Sequence, residues 1–466
     1  MMISVMIVGA GKTGTTLAKE LARYAATDKE FGIIGIFDGG KVTRRDTREG
    51  FYLPEDISYP RGATTAMILK SVYEKVDLIG YDNLKEQTLP ACFFKKFEYY
   101  QKKNVIICDC SGGKAKEDIL NMVKELKYVC NVWAFFPCEK GLVSLFSEKD
   151  GKRDAGIKKV KKETPLWTED ISVKLRTAYA MLEMIIALHQ NKKTKDILWS
   201  EADALNYRDK GDLQECMDKA RIPYKGKSAD ILCVGAGGTG GNVVKEIIPL
   251  LLKNKGLTLT VIDGDRVEEK NLERQAFAHN DLLGFKSMVL VEKIVTSYPE
   301  LKGRVTAVTN YIDTPDQIPS GNNYPVLIGA VDNHRARQVL VSWFGSQQDG
   351  IWIDSANEFD YGEVVISIRA NGKLISPLRS DIFPEVLTDS SPSASELSCG
   401  VVNKTTPQHQ VTNLVAGMTV ISVLEDMFTK KNIMGGIFYF GTLKRNEVYA
   451  KRLPLYKKGV VQYAGK

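Results

Sequence analysis

Two glycine-rich turns carry the first chemically suggestive spacing in this chain. Val5-Met6-Ile7-Val8 runs into Gly9-Ala10-Gly11-Lys12-Thr13-Gly14, and Ile231-Leu232-Cys233-Val234 runs into Gly235-Ala236-Gly237-Gly238-Thr239-Gly240. Glycine at 235 permits a tight turn, and glycine at 237 lets backbone N–H groups approach phosphate oxygens. The following helix points its positive end at the same oxygens. Asp263 closes the next apolar strand and is placed to accept hydrogen bonds from ribose hydroxyls. Alone, such a turn fits a dinucleotide oxidoreductase equally well, and also a turn that binds nothing. A second capable group is Cys399, followed by Gly400, with Pro407 opening a helix soon after. A thiol in a polar loop near a helix N-terminus can have its thiolate stabilised and act as a nucleophile; a buried loop cysteine is the alternative.

The elements that must position these groups are written twice. Each glycine turn precedes a helical pattern, Thr15 to Tyr24 and Asn242 to Lys253, and then an apolar strand ending in aspartate, Ile33 to Asp38 and Leu259 to Asp263. Leu78-Ile79-Gly80-Tyr81-Asp82-Asn83 is matched with Leu327-Ile328-Gly329-Ala330-Val331-Asp332-Asn333, and Val105 to Gly112 with Ile351 to Asn357. A long helix closes each half, about Thr168 to His189 and about Pro407 to Phe428. Repeated β–turn–α–β blocks in one order predict two doubly wound, Rossmann-like α/β domains in tandem. The first spans 1–190 and the second 228–466, joined by a polar helical connector over 191–227.

Bulk properties narrow the classes. The 466 residues carry 64 basic and 57 acidic side chains, a formal charge of +7 spread thinly apart from a cluster between Lys152 and Lys162. That cluster reads as a solvated loop, and no aromatic and arginine platform for nucleic acid is visible. No run of about 18 apolar residues suggests a membrane span, and Ala178 to Leu188 reads as core helix. Met1 to Ala10 reads as a first strand rather than a signal peptide. The eight cysteines form no paired C-x-x-C units for zinc, and a cytoplasmic setting with reduced thiols is expected.

Asp263-Gly264-Asp265-Arg266-Val267-Glu268-Glu269-Lys270-Asn271-Leu272-Glu273-Arg274-Gln275 closely resembles the signature of the ubiquitin-activating enzyme superfamily, which includes the ThiF-type adenylyltransferases for sulfur carriers. Asp281 to Ser287 and Asp332-Asn333-His334-Arg335-Ala336-Arg337 are similar to further motifs of that family, and the resemblance covers about Ala229 to Met427. It implies ATP and Mg2+ as cofactors. Gly235, Gly237, Gly238 and Gly240 would cradle phosphate, Asp263 would hold ribose, and Asp265 would line the nucleotide site. Arg274 and Lys286 would contact phosphates, Asn271 and Gln275 would supply neutral hydrogen bonds, and Asp332 would be the metal ligand. The types suit adenylation, in which a carboxylate attacks the α-phosphate and two anions must be brought together by cations. The resemblance implies a partner with a C-terminal glycine, either ubiquitin-like or a sulfur carrier. A thioester on Cys399 and transfer to a conjugating enzyme would follow. Residues 376–406, polar and broken by Pro377, Pro384 and Pro392, resemble the family's crossover loop over the substrate tail, and Asp354 to Gly362 suits a tail groove or a plain strand-to-turn segment.

The first half reads as a degenerate copy. Lys12 replaces a glycine, Gly40 stands where Asp265 stands, Asp46-Thr47-Arg48-Glu49-Gly50 replaces Asn271 to Gln275, Arg61 falls near the place of Lys286, and Asp82 persists. A supporting half is expected, a second nucleotide site being the alternative. Arg208 has the spacing of the family's arginine that reaches a partner's phosphates, which suits a homodimer. Competing functions are a sulfur-carrier or peptide adenylyltransferase without a thioester, a nicotinamide-dependent oxidoreductase, and a non-catalytic nucleotide-binding scaffold.

Overall fold

The computed structural model describes residues 3–28, 31–82, 104–126, 131–137, 143–149, 152–153, 170–190, 228–272, 275, 277–358, 361–390, 410–430 and 435–441. The chain divides into two compact units, Met1–Ser200 and Glu201–Lys466, each with its own sheet.

In the first unit the strands are β1 (Ser4–Val8), β2 (Ile34–Phe37), β3 (Leu78–Tyr81), β4 (Asn104–Asp109), β5 (Asn131–Pro137), β6 (Val143–Lys149) and β7 (Lys152–Arg153). They lie in the order β3-β2-β1-β4-β5-β6-β7, with β1 to β5 parallel and β6 and β7 antiparallel. The second unit has β8 (Ala229–Val234), β9 (Leu257–Ile262), β10 (Val305–Val308), β11 (Tyr324–Gly329), β12 (Gly350–Asn357), β13 (Tyr361–Ala370), β14 (Lys373–Leu374) and β15 (Gly436–Gly441). Their order is β10-β9-β8-β11-β12-β13-β14, with β15 pairing β13. The two units thus share one strand order. Their parallel strands are near-continuous apolar runs because helices cover both faces; all five residues of β1 are buried. The chain's Rossmann-like α/β class follows from this topology.

The shared order corrects the sequence match. β3 is an edge strand and corresponds to β10, whereas β4 corresponds to β11 and β5 to β12. The run ending at Asp82 is therefore not the counterpart of the run ending at Asp332, and Val105–Asp109 is not the counterpart of Ile351–Asp354. Close contacts give the register. A Cβ on Gly9 would meet the Cys110 carbonyl oxygen at 2.6 Å, as one on Gly235 would meet that of Ala330 at 2.4 Å. Counting from Cys110 and Ala330 places Gly112 at the position of Asp332. Short apolar strands ending in a polar turn look alike locally, and place in a sheet is a long-range property.

Helix limits also shift. The first glycine-turn helix is Lys12–Thr27, and the second starts at Gly238, running to Glu246, with Ile248–Lys253 after it. The closing helices are Ile171–His189 and Gln410–Glu425. Gln410–Thr429 is apolar and long enough to cross a membrane by composition, but it is buried in the protein and is, like 178–188, a core helix. The segment after β14 is not irregular throughout: Arg379–Ile382 and Glu385–Thr388 are single helical turns, too short to show a period. The connector 191–227 lies outside the described residues, as does 391–409 of the crossover segment.

Candidate functional site

The site is built where β8 meets the helix Gly238–Glu246. Gly235 has φ +94°, a conformation in which a side chain would be strained, and a Cβ on Gly240 would lie 1.8 Å from the Gly235 carbonyl oxygen. These two glycines let the chain turn tightly against β11. Gly237 faces open space, its nearest neighbour being Gln275 Nε2 at 3.8 Å from the Cβ position, and Gly238 faces the carboxamide of Asn413. The helix N-terminus is left as an anion seat of backbone amides.

Asp263 directly follows β9, beside this turn. Its carboxylate accepts from the Ala236 N–H at 2.5 Å and the Asp265 N–H at 2.8 Å. Burial pushes its pKa up to about 6, with the Lys286 charge pulling the other way and Asp265 adding to the rise. Lys286, at the head of the helix Lys286–Ser297, bonds Asp265 Oδ2 at 2.7 Å, and Tyr311 donates to Asp265 Oδ1 at 2.6 Å. Burial works to discharge Lys286, but Asp263, Asp265 and Asp332 together hold its pKa above the usual lysine value. Burial likewise works against the Asp265 charge, and Lys286 and the Tyr311 hydroxyl outweigh it, lowering its pKa. One buried cation thus pairs with Asp265 and carries the electrostatic pull of Asp263 and Asp332 beside the glycine turn.

The remaining expected residues divide. Gln275 lies beside Gly237, and its Oε1 is buried without a hydrogen-bond partner. Asn271 is buried and uses its side-chain oxygen to accept from the Glu268 N–H at 2.8 Å, so that atom caps a short helix rather than facing a ligand. Asp332 is exposed at the start of the helix His334–Ser346, which Asn333 caps by accepting from the Ala336 N–H at 2.8 Å. One exposed carboxylate beside a phosphate seat is the donor set magnesium uses when phosphate oxygens and waters complete its shell. Arg274, Arg208 and Cys399 lie outside the described residues.

The structure adds residues that no motif assigned a role. Arg337 donates to the Val331 carbonyl at 2.6 Å, bracing the turn that carries Asp332, and its Nε lies 3.4 Å from Asp354. Arg379 forms an ion pair with the same Asp354 and another with Glu363 at 2.7 Å. Asp354 is 1 % exposed and held by two arginines, so it anchors the segment rather than lining a groove. Gln338 donates to the carbonyls of Val386 and Asp389 at 3.0 and 2.8 Å, fastening the same segment farther along. The sequence signal for the ion pairs of Arg379 was acid–base composition alone, since pairing across 16 and 25 residues leaves no local period.

Residues 221–449 match the ThiF family. No curated protein matches the chain. Among solved structures, E. coli MccB with AMPCPP and MccA is similar at 15 % identity over 51 % of this chain and 64 % of that one, with a TM-score of 0.34. E. coli MccB with ATP is similar at 16 % identity over 50 % and 64 %, also at 0.34. PaaA is similar at 15 % identity over 56 % of this chain and 88 % of that one, at 0.34. The match spans just under two thirds of the MccB chain. The second unit, with its glycine turn and the motifs around Lys286 and Asp332, carries a ThiF-family domain.

Proposed function

We propose that the second unit is an ATP-dependent adenylyltransferase acting on the C-terminal carboxylate of a protein or peptide. The observation that carries the reading is the setting of Lys286, a buried cation held charged by Asp263, Asp265 and Asp332 beside the glycine turn. ThiF-family membership of residues 221–449 supports the same chemistry. An oxidoreductase would have no use for this group.

In the proposed step a carboxylate oxygen of the substrate attacks the α-phosphorus of ATP. The bond from that phosphorus to the oxygen bridging the β-phosphate breaks, and pyrophosphate leaves with the electron pair. The amides at Gly237 and Gly238 seat phosphate oxygens, Asp263 accepts from ribose hydroxyls, and Lys286, with Arg274, offsets the charge of two anions brought together. Asp332 would hold magnesium, which supplies charge neutralisation of the leaving pyrophosphate. Arg337 keeps Asp332 in place through the Val331 carbonyl.

The substrate class we favour is a ubiquitin-like protein or sulfur carrier ending in glycine. A Cys399 thiolate would then attack the acyl carbon of the adenylate, releasing AMP and forming a thioester for a conjugating enzyme. Burial raises the pKa of Cys108, Cys110 and Cys233, the last to about 12, which makes these thiols poor nucleophiles. The first unit is proposed as a supporting copy. The test is exchange of labelled pyrophosphate into ATP in the presence of small proteins ending in glycine. Exchange that disappears in Asp332→Ala supports adenylation; tight ATP binding without exchange for any carboxylate substrate would point to a scaffold instead. A reducible adduct that survives Cys399→Ala would remove that cysteine from the relay.

A further inference from the structure

The helix Gln410–Glu425 brings a polar side chain to the glycine turn that no motif marks. The Asn413 carboxamide packs where Gly238 lacks a side chain, its nitrogen 2.5 Å from the position a Cβ would take, and Asn413 is 3 % exposed. A short hydrogen-bond relay leads to it. The Thr239 hydroxyl donates to Asn357 Oδ1 at 3.0 Å, and Asn357 Nδ2 donates to Asn413 Oδ1 at 2.9 Å. Each link sets the polarity of the next, because an amide whose oxygen accepts on one side presents its N–H donors on the other. No hydrogen-bond partner for Asn413 Nδ2 is found among the described residues. Across the turn, Gln275 Nε2 is the nearest side-chain atom to Gly237, 3.8 Å from the position a Cβ would take. The Asn413 and Gln275 amide nitrogens therefore bracket the first turn of a nine-residue helix, at Gly238 and Gly237. The free group of Asn413 is a donor, held on a residue buried to 3 % exposure at a helix N-terminus, and a donor so placed suits an anionic ligand.

We propose that Asn413 is a phosphate-binding residue of the nucleotide site, its amide aimed by Thr239 and Asn357 to donate to an oxygen seated at Gly237 and Gly238. This assignment rests on the nucleotide reading and extends it to a residue outside the family motifs. It also gives Gly238 a purpose, since a side chain there would occupy the seat of Asn413. Lys12 stands at that position in the first copy and is buried.

The test compares Mg·ATP and adenosine binding to the full chain by calorimetry, with thermal melts as a check on folding. Asn413→Ala is expected to bind ATP about tenfold more weakly, the scale of one hydrogen bond to a charged group. Asn413→Asp is expected to bind it more weakly still, because a carboxylate repels phosphate, and adenosine affinity stays at the wild-type value in both. Asn357→Asp checks the relay: a carboxylate cannot donate to Asn413 Oδ1, so the Asn413 amide turns over and ATP, but not adenosine, binds less well. The aspartate at 413 is isosteric and keeps the comparison if the alanine variant does not fold. Unchanged ATP affinity in the Asn413 variants overturns the inference while leaving the nucleotide reading intact. Parallel loss of ATP and adenosine affinity also overturns it, by reducing Asn413 to packing. Wild-type protein that binds no ATP removes both.

Discussion

The corner around Lys286 and the corner around Arg61 are the same backbone carrying different charges. Asp38 accepts from the N–H groups of Ala10 and Gly40, both at 2.7 Å, as Asp263 accepts from Ala236 and Asp265. The Arg61 N–H donates to the Gly40 carbonyl at 2.9 Å, as that of Lys286 does to Asp265. In the second unit the cation rests on a neighbouring carboxylate, Asp265. In the first, Arg61 pairs with Asp38 itself at 3.1 Å as well as with Asp46 at 3.5 Å, occupying the group that corresponds to the proposed ribose ligand. Glu49, standing where Arg274 stands, is paired with Lys174 at 2.5 Å, and Gly112 replaces the carboxylate of Asp332. The backbone corner is kept by carboxylates that bind its amides, whereas the phosphate chemistry we propose depends on a few side chains that differ between the copies.

The comparison can be broken in several places. The largest effect is expected at Asp354, whose register position on β12 belongs to Phe136 on β5, next to the Cys108–Phe135 pair. Asp354→Ala leaves two buried arginines short of a partner and should cost about 3–5 kcal/mol in urea unfolding of the second unit. An unchanged midpoint would mean that the cluster is solvated. Next, Lys286→Met should reduce pyrophosphate exchange by roughly 10²–10³-fold, the scale of losing one preorganised charge-stabilising group, while Arg61→Met leaves exchange within about twofold. Equal losses from the two variants would give the first unit a catalytic share and end the description of it as a support.

A smaller effect concerns pH. The Asp263 pKa rises from 3.8 to about 6, so between those values the folded unit holds a proton that the unfolded chain has lost. Stability therefore falls as pH rises across that window. Adenosine, which has no phosphate to titrate, should bind several-fold more tightly as pH rises through about 6, because the ionised carboxylate is the better acceptor. Asp263→Asn should flatten the curve, and a wild-type curve already flat would show that Asp263 does not face ribose. The smallest effect lies at Leu283, with φ +68° and 75 % exposure, and at Ser58, with φ +79°. Glycine at either position should stabilise its unit by roughly 0.5–1 kcal/mol, since the left-handed backbone is costly for other residues. Thermal melts that separate the two variants would show that the matching turns are not under equal strain.

The glycine turns, the strand after each, and the set Asp263, Asp265, Lys286 and Gln275 were legible because each is local or lies in one contiguous motif. What was not legible depends on distance. Matching Asp82 to Asp332 failed because strands of similar composition occupy an edge in one case and the sheet interior in the other. The grip of Arg379 on Asp354 was hidden in a segment whose helical turns are four residues each. Asn413 was hidden for the opposite reason: it lies in a helix buried on every side, where no face is distinguished by polarity.

Gly40 makes room for the first copy's cation. A Cβ at that position would lie 2.2 Å from the Arg61 guanidinium. An acidic side chain there, as the second copy has, would require the guanidinium to shift from the place where it now reaches Asp38 and Asp46. The space at 40 and the side chain at 61 are therefore coupled, and a double-variant cycle across the two positions reads that coupling directly.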